Sequence, residues 1–200
     1  PALQQWKPTK GKMVLLESGK VIISSDEEGA LKQSAEILVQ DLKEMFGWNY
    51  RVVIGKQEKG AVFLTLGKPD KTLGDEGYRM DVRNGVTIEA PTAKGVFWGT
   101  RTLLQMIHNQ PEGLMRGQAI DFPLYPNRGF MIDYLRDYVK ILSFYKLNEL
   151  QVHLNDNGFV EFFGNDWDKT YAVFRLESER YTGLTAKDGS YTKVEFQDFQ

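Results

Sequence analysis

Tyr78-Arg79-Met80-Asp81-Val82, Arg83-Asn84-Gly85 and Val86-Thr87-Ile88-Glu89-Ala90 follow one another, and this stretch decides the fold class. The two outer runs alternate apolar and polar side chains, as strands with one buried face do. Asn84-Gly85 is a strong hairpin signal, since both residues tolerate positive φ, so the pair is expected to be antiparallel. Directly after it the period lengthens to that of a helix, from about Thr92 to His108. Val96, Thr100, Leu103, Leu104 and Ile107 form its buried stripe. Gly95 and Gly99 lie four apart on this helix. They permit close packing on a sheet, or mark a place where a ligand approaches the backbone.

Upstream, Val21-Ile22-Ile23 reads as a short strand. Asp26 to Phe46 reads as an amphipathic helix with Leu31, Ala35, Leu38, Leu42 and Met45 on one face. Ser25 or Asp26 is its expected cap and Gly47 its stop. Tyr50–Ile54 and Ala61–Leu66 are two further strands, rich in β-branched and aromatic residues. Strands, two helices and a hairpin give an α+β domain, a sheet with helices on one face.

Downstream, Pro123 and Pro126 bracket a break and the pattern changes. Arg128–Asp133 is a buried-type strand. Tyr134–Lys146 is a helix with Leu135, Val139, Leu142 and Tyr145 on one face. Asn148–Leu154 is another strand. Strand, helix and strand with so long a crossover make a βαβ unit with parallel strands. The expected division is residues 1–125 and 126–200.

Composition narrows the function. The 200 residues carry 25 Lys+Arg against 27 Asp+Glu, a formal net charge of −2, which does not suit a nucleic-acid partner. No apolar run approaches the ~20 residues of a membrane helix. Cysteine is absent, which excludes disulfides, thiolate metal sites and cysteine nucleophiles. The two histidines, His108 and His153, are too few for a multi-histidine metal site. No phosphate loop, nucleophile elbow or zinc-protease helix is present, and no cofactor is expected.

The polar residues worth singling out lie at strand ends. In an α/β barrel, functional residues come from the C-terminal ends of the strands. Here those ends are Asp133 and Asn155-Asp156-Asn157. Alternation from Leu150 to Asp156 sends Leu150, Val152 and Leu154 under the helices, and Gln151, His153 and Asn155 to the interior. Asp156 is then just beyond the rim. The same reasoning puts Phe130 and Ile132 under the helices and Met131 and Asp133 inside. A row of buried polar residues is costly unless satisfied. It is a structural hydrogen-bond network or a substrate site, and two aspartates and a histidine facing one lumen favour the site. Asp156-Asn157-Gly158 matches part of a calcium loop, but the rest of that motif is missing. Trp167, Tyr171, Phe174 and Tyr181 either stack on sugar rings or anchor their loop.

Arg128-Gly129-Phe130-Met131-Ile132-Asp133, Tyr145-Lys146-Leu147-Asn148 and Gln151-Val152-His153-Leu154-Asn155-Asp156-Asn157, in that order, resemble glycoside hydrolase family 20, the β-N-acetylhexosaminidases. Ile88-Glu89-Ala90, Gly95-Val96-Phe97-Trp98-Gly99 and Thr102-Leu103-Leu104-Gln105 resemble the end of that family's small domain. The resemblance implies a (β/α)8 TIM barrel after the first domain, of which residues 126–200 would hold the first βα units. It implies that terminal N-acetylhexosamine is released from glycans. The substrate's own acetamido oxygen attacks the anomeric carbon, an Asp orients it, and a Glu protonates the leaving oxygen. Asp133, His153 and Asp156 match substrate-site support positions, with Asn155, Asn157 and Trp167 as loop contacts. No residue of this sequence matches the catalytic Asp-Glu pair, which the family carries on its fourth barrel strand.

Two departures give further expectations. A βα connection usually takes 2–6 residues, yet Asp133 runs straight into Tyr134, so a loop is expected to be missing from the numbering there. Residues 126–200 supply about two of the eight strands a barrel needs, so the sequence is expected to hold a whole first domain and part of a second. The competing reading is a non-catalytic glycan-binding or scaffold module. A mature start without cysteine suits a periplasmic or secreted enzyme.

Overall fold

The computed structural model describes residues 2–132, 138–157, 161, 164–166, 172–181, 183, 185–186 and 189–198, and the side chains of Ile132, Asp156, Asn157, Ala172 and Val173 are outside that description. The chain forms two compact units. One comprises Pro1–Pro126 with Phe144–Lys146, the other Asn127–Ser143 with Leu147–Gln200.

The first unit is a seven-stranded sheet with two helices. Its elements are β1 (Gln5–Met13), β2 (Ser18–Ile23), α1 (Glu28–Phe46), β3 (Asn49–Ile54), β4 (Val62–Leu66), β5 (Tyr78–Val82), β6 (Val86–Ala90), α2 (Ala93–Asn109) and β7 (Leu114–Asp121). The sheet order is β1-β7-β5-β6-β4-β2-β3. Strands β3, β2, β4 and β6 run parallel, and β5, β7 and β1 are added antiparallel. Val21, Ile23, Val62, Leu64, Met80 and Ile88 point to the helices and are buried. Arg79, Glu89 and Gln118 on the opposite face are exposed. Both helices therefore cover one face.

Periodicity explains the helices. Leu31, Ala35, Leu38 and Leu42 of α1 are buried, each leucine contributing about 2 kcal/mol of apolar burial. Met45, expected on the same stripe, is 43% exposed, because Phe46, four residues after Leu42, packs against the core in its place. Gly47 ends α1 with φ 73, a conformation a side chain would strain. The N-cap is Glu27 rather than Ser25 or Asp26, with no side-chain cap bond. Its carboxylate instead accepts from Leu66 N at 2.9 Å and Thr65 Oγ1 at 3.1 Å, tying α1 to β4. In α2 the whole expected stripe is buried, and Thr92 caps the helix by accepting from Gly95 N at 3.1 Å. Gly95 and Gly99 are packing glycines. A Cβ on Gly95 would lie 2.4 Å from Gly77 O, and one on Gly99 2.4 Å from Ile88 Cγ2.

The hairpin forms, with Val82 opposite Val86. Its expected cause does not hold, since neither Asn84 nor Gly85 has positive φ. The loop is the three residues Arg83–Gly85, and glycine is needed for room: a Cβ on Gly85 would lie 2.7 Å from Ala61 O.

In the second unit, β8 (Gly129–Ile132) and β9 (Glu149–Val152) pair in parallel, joined through α3 (Tyr138–Phe144). A further pair, β10 (Asn155–Asn157) and β11 (Ala172–Phe174), is antiparallel. Helix α4 (Lys193–Gln197) opens with a complete capping box of Thr192 and Glu195. The expected junction between Asp133 and Tyr134 lies outside the described residues. Phe130, expected under helices, is 48% exposed. The helix described between β8 and β9, the seven-residue α3, leaves it uncovered.

Candidate functional site

The strand-end site begins at the β8–β9 pair. Asn148 anchors it: its Oδ1 accepts from Arg128 N at 2.9 Å, and its own N–H donates to Arg128 O at 3.0 Å. The ladder then runs from Gly129 opposite Glu149 to Ile132 opposite Val152. Glu149 and Gln151 are exposed while Leu150 and Val152 are half-buried, so the expected alternation is present on β9.

The ladder ends one residue before His153, and here the structure corrects the sequence. One strand was expected through Leu154, with Asp156 at its rim. Instead His153 and Leu154 form a break, and Asn155–Asn157 pair with another partner, β11. Leu154 O accepts from Arg175 N at 2.7 Å at the start of that ladder. Beyond the break the chain takes its ladder from β11 instead of continuing the one with β8.

His153 is half-buried and has an interaction partner, and Asn155 is exposed. The backbone of Asp156 sits opposite Val173, and that of Asn157 opposite Ala172. Their side chains, and Asp133 and Trp167 altogether, lie outside the described residues. Among the described residues no group of three His, Asp or Glu side chains could hold a metal ion.

Sequence reasoning passed over a second polar cluster, in the first unit. Lys146 Nζ donates to Asp121 Oδ2 at 2.7 Å and to Tyr78 Oη at 2.8 Å. Tyr78 Oη in turn donates to Asp121 Oδ2 at 2.8 Å and shares a hydrogen bond of 2.5 Å with Thr102 Oγ1. Burial, and then the Asp121 carboxylate, hold the Tyr78 hydroxyl well above its usual pKa. The signal that could have pointed to it is Tyr78 itself, a phenol on the buried face of a strand, which needs a polar partner.

Residues 1–122, which include all of β1–β7, α1 and α2, match the family model described as glycosyl hydrolase family 20, domain 2. The chain belongs to glycosyl hydrolase family 20. A family 20 relative, the beta-hexosaminidase of Akkermansia muciniphila, is 30% identical over 140 residues, 64% of this chain and 28% of that protein. The beta-hexosaminidase of Porphyromonas gingivalis is 26% identical over 193 residues, 86% of this chain and 22% of its own. Among solved structures, the GH20 β-N-acetylhexosaminidase of Streptomyces coelicolor superposes with a TM-score of 0.73 at 24% identity, over 98% of this chain and 42% of that one. A Streptomyces plicatus beta-hexosaminidase mutant, solved with its product GlcNAc, gives 0.75 at 22% identity, over 98% and 41%. At these identities the structural likeness shows the fold alone. The chain spans 28% and 22% of the two curated relatives. The family 20 region that the model matches is the mixed α/β domain with its seven-stranded sheet.

Proposed function

We propose that this family 20 chain is the N-terminal part of a β-N-acetylhexosaminidase that releases terminal N-acetylhexosamine from glycans by substrate-assisted, retaining hydrolysis. The observation that carries the reading is the order of parts. A family 20 domain 2 is followed directly by the Arg128–Asp133 motif and a parallel β8–α3–β9 unit. In this reading β8 and β9 are the first strands of a TIM barrel. Exposed apolar residues on β8 and α3 support it: Phe130, Met131, Val139 and Ile141 are 39–59% exposed, a surface that closing a barrel would cover.

Asp133, His153 and Asp156 then support the substrate site from strand ends, and Asn155, Asn157 and Trp167 contribute loop contacts. The catalytic Asp and Glu come from residues other than these 200. The two Asp-Glu pairs in the sequence, Asp26-Glu27 and Asp75-Glu76, both belong to the first unit. The substrate acetamido oxygen attacks the anomeric carbon, and the Glu donates its proton to the leaving oxygen. The glycan partner and a periplasmic or secreted location belong to the same proposal. No described helix is long and apolar enough to cross a membrane.

Hydrolysis of a chromogenic N-acetylglucosaminide tests it, with the 200-residue chain and a longer protein that contains it. The expected result is turnover by the longer protein only. Turnover by neither favours a non-catalytic glycan-binding or scaffold module. Turnover by the 200-residue chain would overturn the placing of the catalytic carboxylates.

A further inference from the structure

The two helices cover one face of the seven-stranded sheet, and the other face carries a groove of about 800 Å³ that the proposed hydrolysis does not use. Register builds its floor. Gln118 on β7 lies opposite Asp81 on β5, and Asp81 opposite Thr87 on β6, so three polar side chains cross the sheet in a row. Gln118 Nε2 donates to Asp81 Oδ2 at 2.8 Å. Arg83, from the hairpin loop, reaches the same oxygen at 2.8 Å. From the other rim, Gln57 Nε2 donates to Thr87 Oγ1 at 2.6 Å. The remaining oxygen, Asp81 Oδ1, is itself buried and has no hydrogen-bond partner among the described residues, although the Asp81 side chain as a whole is 32% exposed.

Charge and shape select the ligand class. Among the described residues four cations and three carboxylates line the groove, and two of the cations are tied to acids, Arg79 to Asp70 at 2.6 Å and Arg83 to Asp81. Such a surface offers many donors and acceptors with little net field. A polyanion needs a surface of one sign; a neutral polyol needs what is here. The volume is that of a small-molecule site. Among the described residues no aromatic ring lines it, so binding comes from hydrogen bonds exchanged with water, each worth little net.

We propose that this groove binds a neutral oligosaccharide segment of the glycan, with a sugar hydroxyl donating to Asp81 Oδ1 once the exposed Arg83 arm turns aside, and with Gln57, Thr87 and Gln118 completing the contacts. The identity of the ligand rests on the hexosaminidase reading; the groove itself does not.

Triacetylchitotriose is titrated into the isotope-labelled 200-residue chain and followed by amide shifts. Saturable shifts at Gln57, Asp81, Thr87 and Gln118 are expected, with a Kd of about 1–10 mM. Asp81→Ala should weaken binding about tenfold. Gln57→Ala, on an exposed loop outside the sheet, should weaken it about threefold with an unchanged Tm, which separates lost binding from lost folding. No shifts by about 20 mM, shifts elsewhere on the chain, or shifts that both variants leave intact would overturn the proposal. So would tighter binding of a sulfated oligosaccharide than of the neutral one. A longer protein that hydrolyses the chromogenic substrate without groove binding sinks the groove alone. Groove binding without hydrolysis sinks the enzyme reading alone.

Discussion

Lys146 Nζ lies 2.7 Å from Asp121 Oδ2, with the two side chains only 12% and 11% exposed. Lys146 holds φ 62, uncommon for a residue with a side chain. Its ammonium also sits 4.9 Å from the centre of the Tyr78 ring. The backbone of its neighbour Phe144 accepts a hydrogen bond from Gln105 Nε2. Three residues distant in sequence are thus built into the first unit, and a buried ion pair holds the last of them.

Lys146→Met should destabilise the first unit by about 3 kcal/mol, because it leaves Asp121 charged in a site that has lost its cation. Lys146→Gly, which relieves the left-handed backbone but also loses the ammonium, should still destabilise. Asp121→Asn added to Lys146→Met should recover part of the loss. Urea unfolding measures all three. A neutral Lys146→Met would show that the pair contributes nothing.

The tyrosines predict a pH dependence. Burial pushes the Tyr50 hydroxyl up to about 12, and burial followed by the Asp121 carboxylate holds the Tyr78 hydroxyl well above its usual value of 10. In the unfolded chain both ionise near 10. Above that pH the unfolded state binds fewer protons than the folded state, so stability falls as pH rises. The contribution is fully present below pH 10. For Tyr50 it is lost between 10 and about 12. Denaturation midpoints measured across this range should fall, and Tyr50→Phe should flatten the slope. Tyr50 Oη donates to Leu16 O at 2.9 Å, so the variant also has a small fixed cost at every pH.

Gly95→Ala should lower stability by about 1–3 kcal/mol, even though alanine favours a helix by about 1 kcal/mol. The obstacle is backbone, Gly77 O, together with Ala90 Cβ at 2.7 Å, and neither can turn away. Gly29→Ala is the control. It lies in α1 with nothing within 4 Å of a Cβ, and should be neutral or stabilising. Thermal unfolding of the two variants separates packing from propensity.

In the longer protein, His153→Ala should lower kcat about a hundredfold, the usual scale for acid–base support, with Tm little changed. His153 is half-buried at a break between two ladders, outside both strands. A pH–rate profile distinguishes the roles. Loss of one limb supports tuning of the acid, whereas an unchanged profile with lower stability marks His153 as structural.

The sequence by itself determined the elements whose information is local. The stripes of α1 and α2 and the Gly47 stop repeat within one or two turns, and the β5–β6 hairpin and the β8–β9 pair follow from patterns inside one short stretch. The motif order from Arg128 to Asn157 was equally legible, because it is a pattern along the chain. Tertiary structure alone decided the rest. Strand β7 went unread, and so did β1: Gln-Trp-Lys-Pro-Thr-Lys-Gly-Lys-Met is an exposed edge with Pro8 and a register shift, and shows no apolar alternation. Its pairing of Gln5 with Ile120 joins residues at opposite ends of the domain. The Lys146 cluster was hidden for the same reason. Its members sit on β5, α2, β7 and the turn after α3, and a buried charge becomes visible only once the fold has removed the water around it.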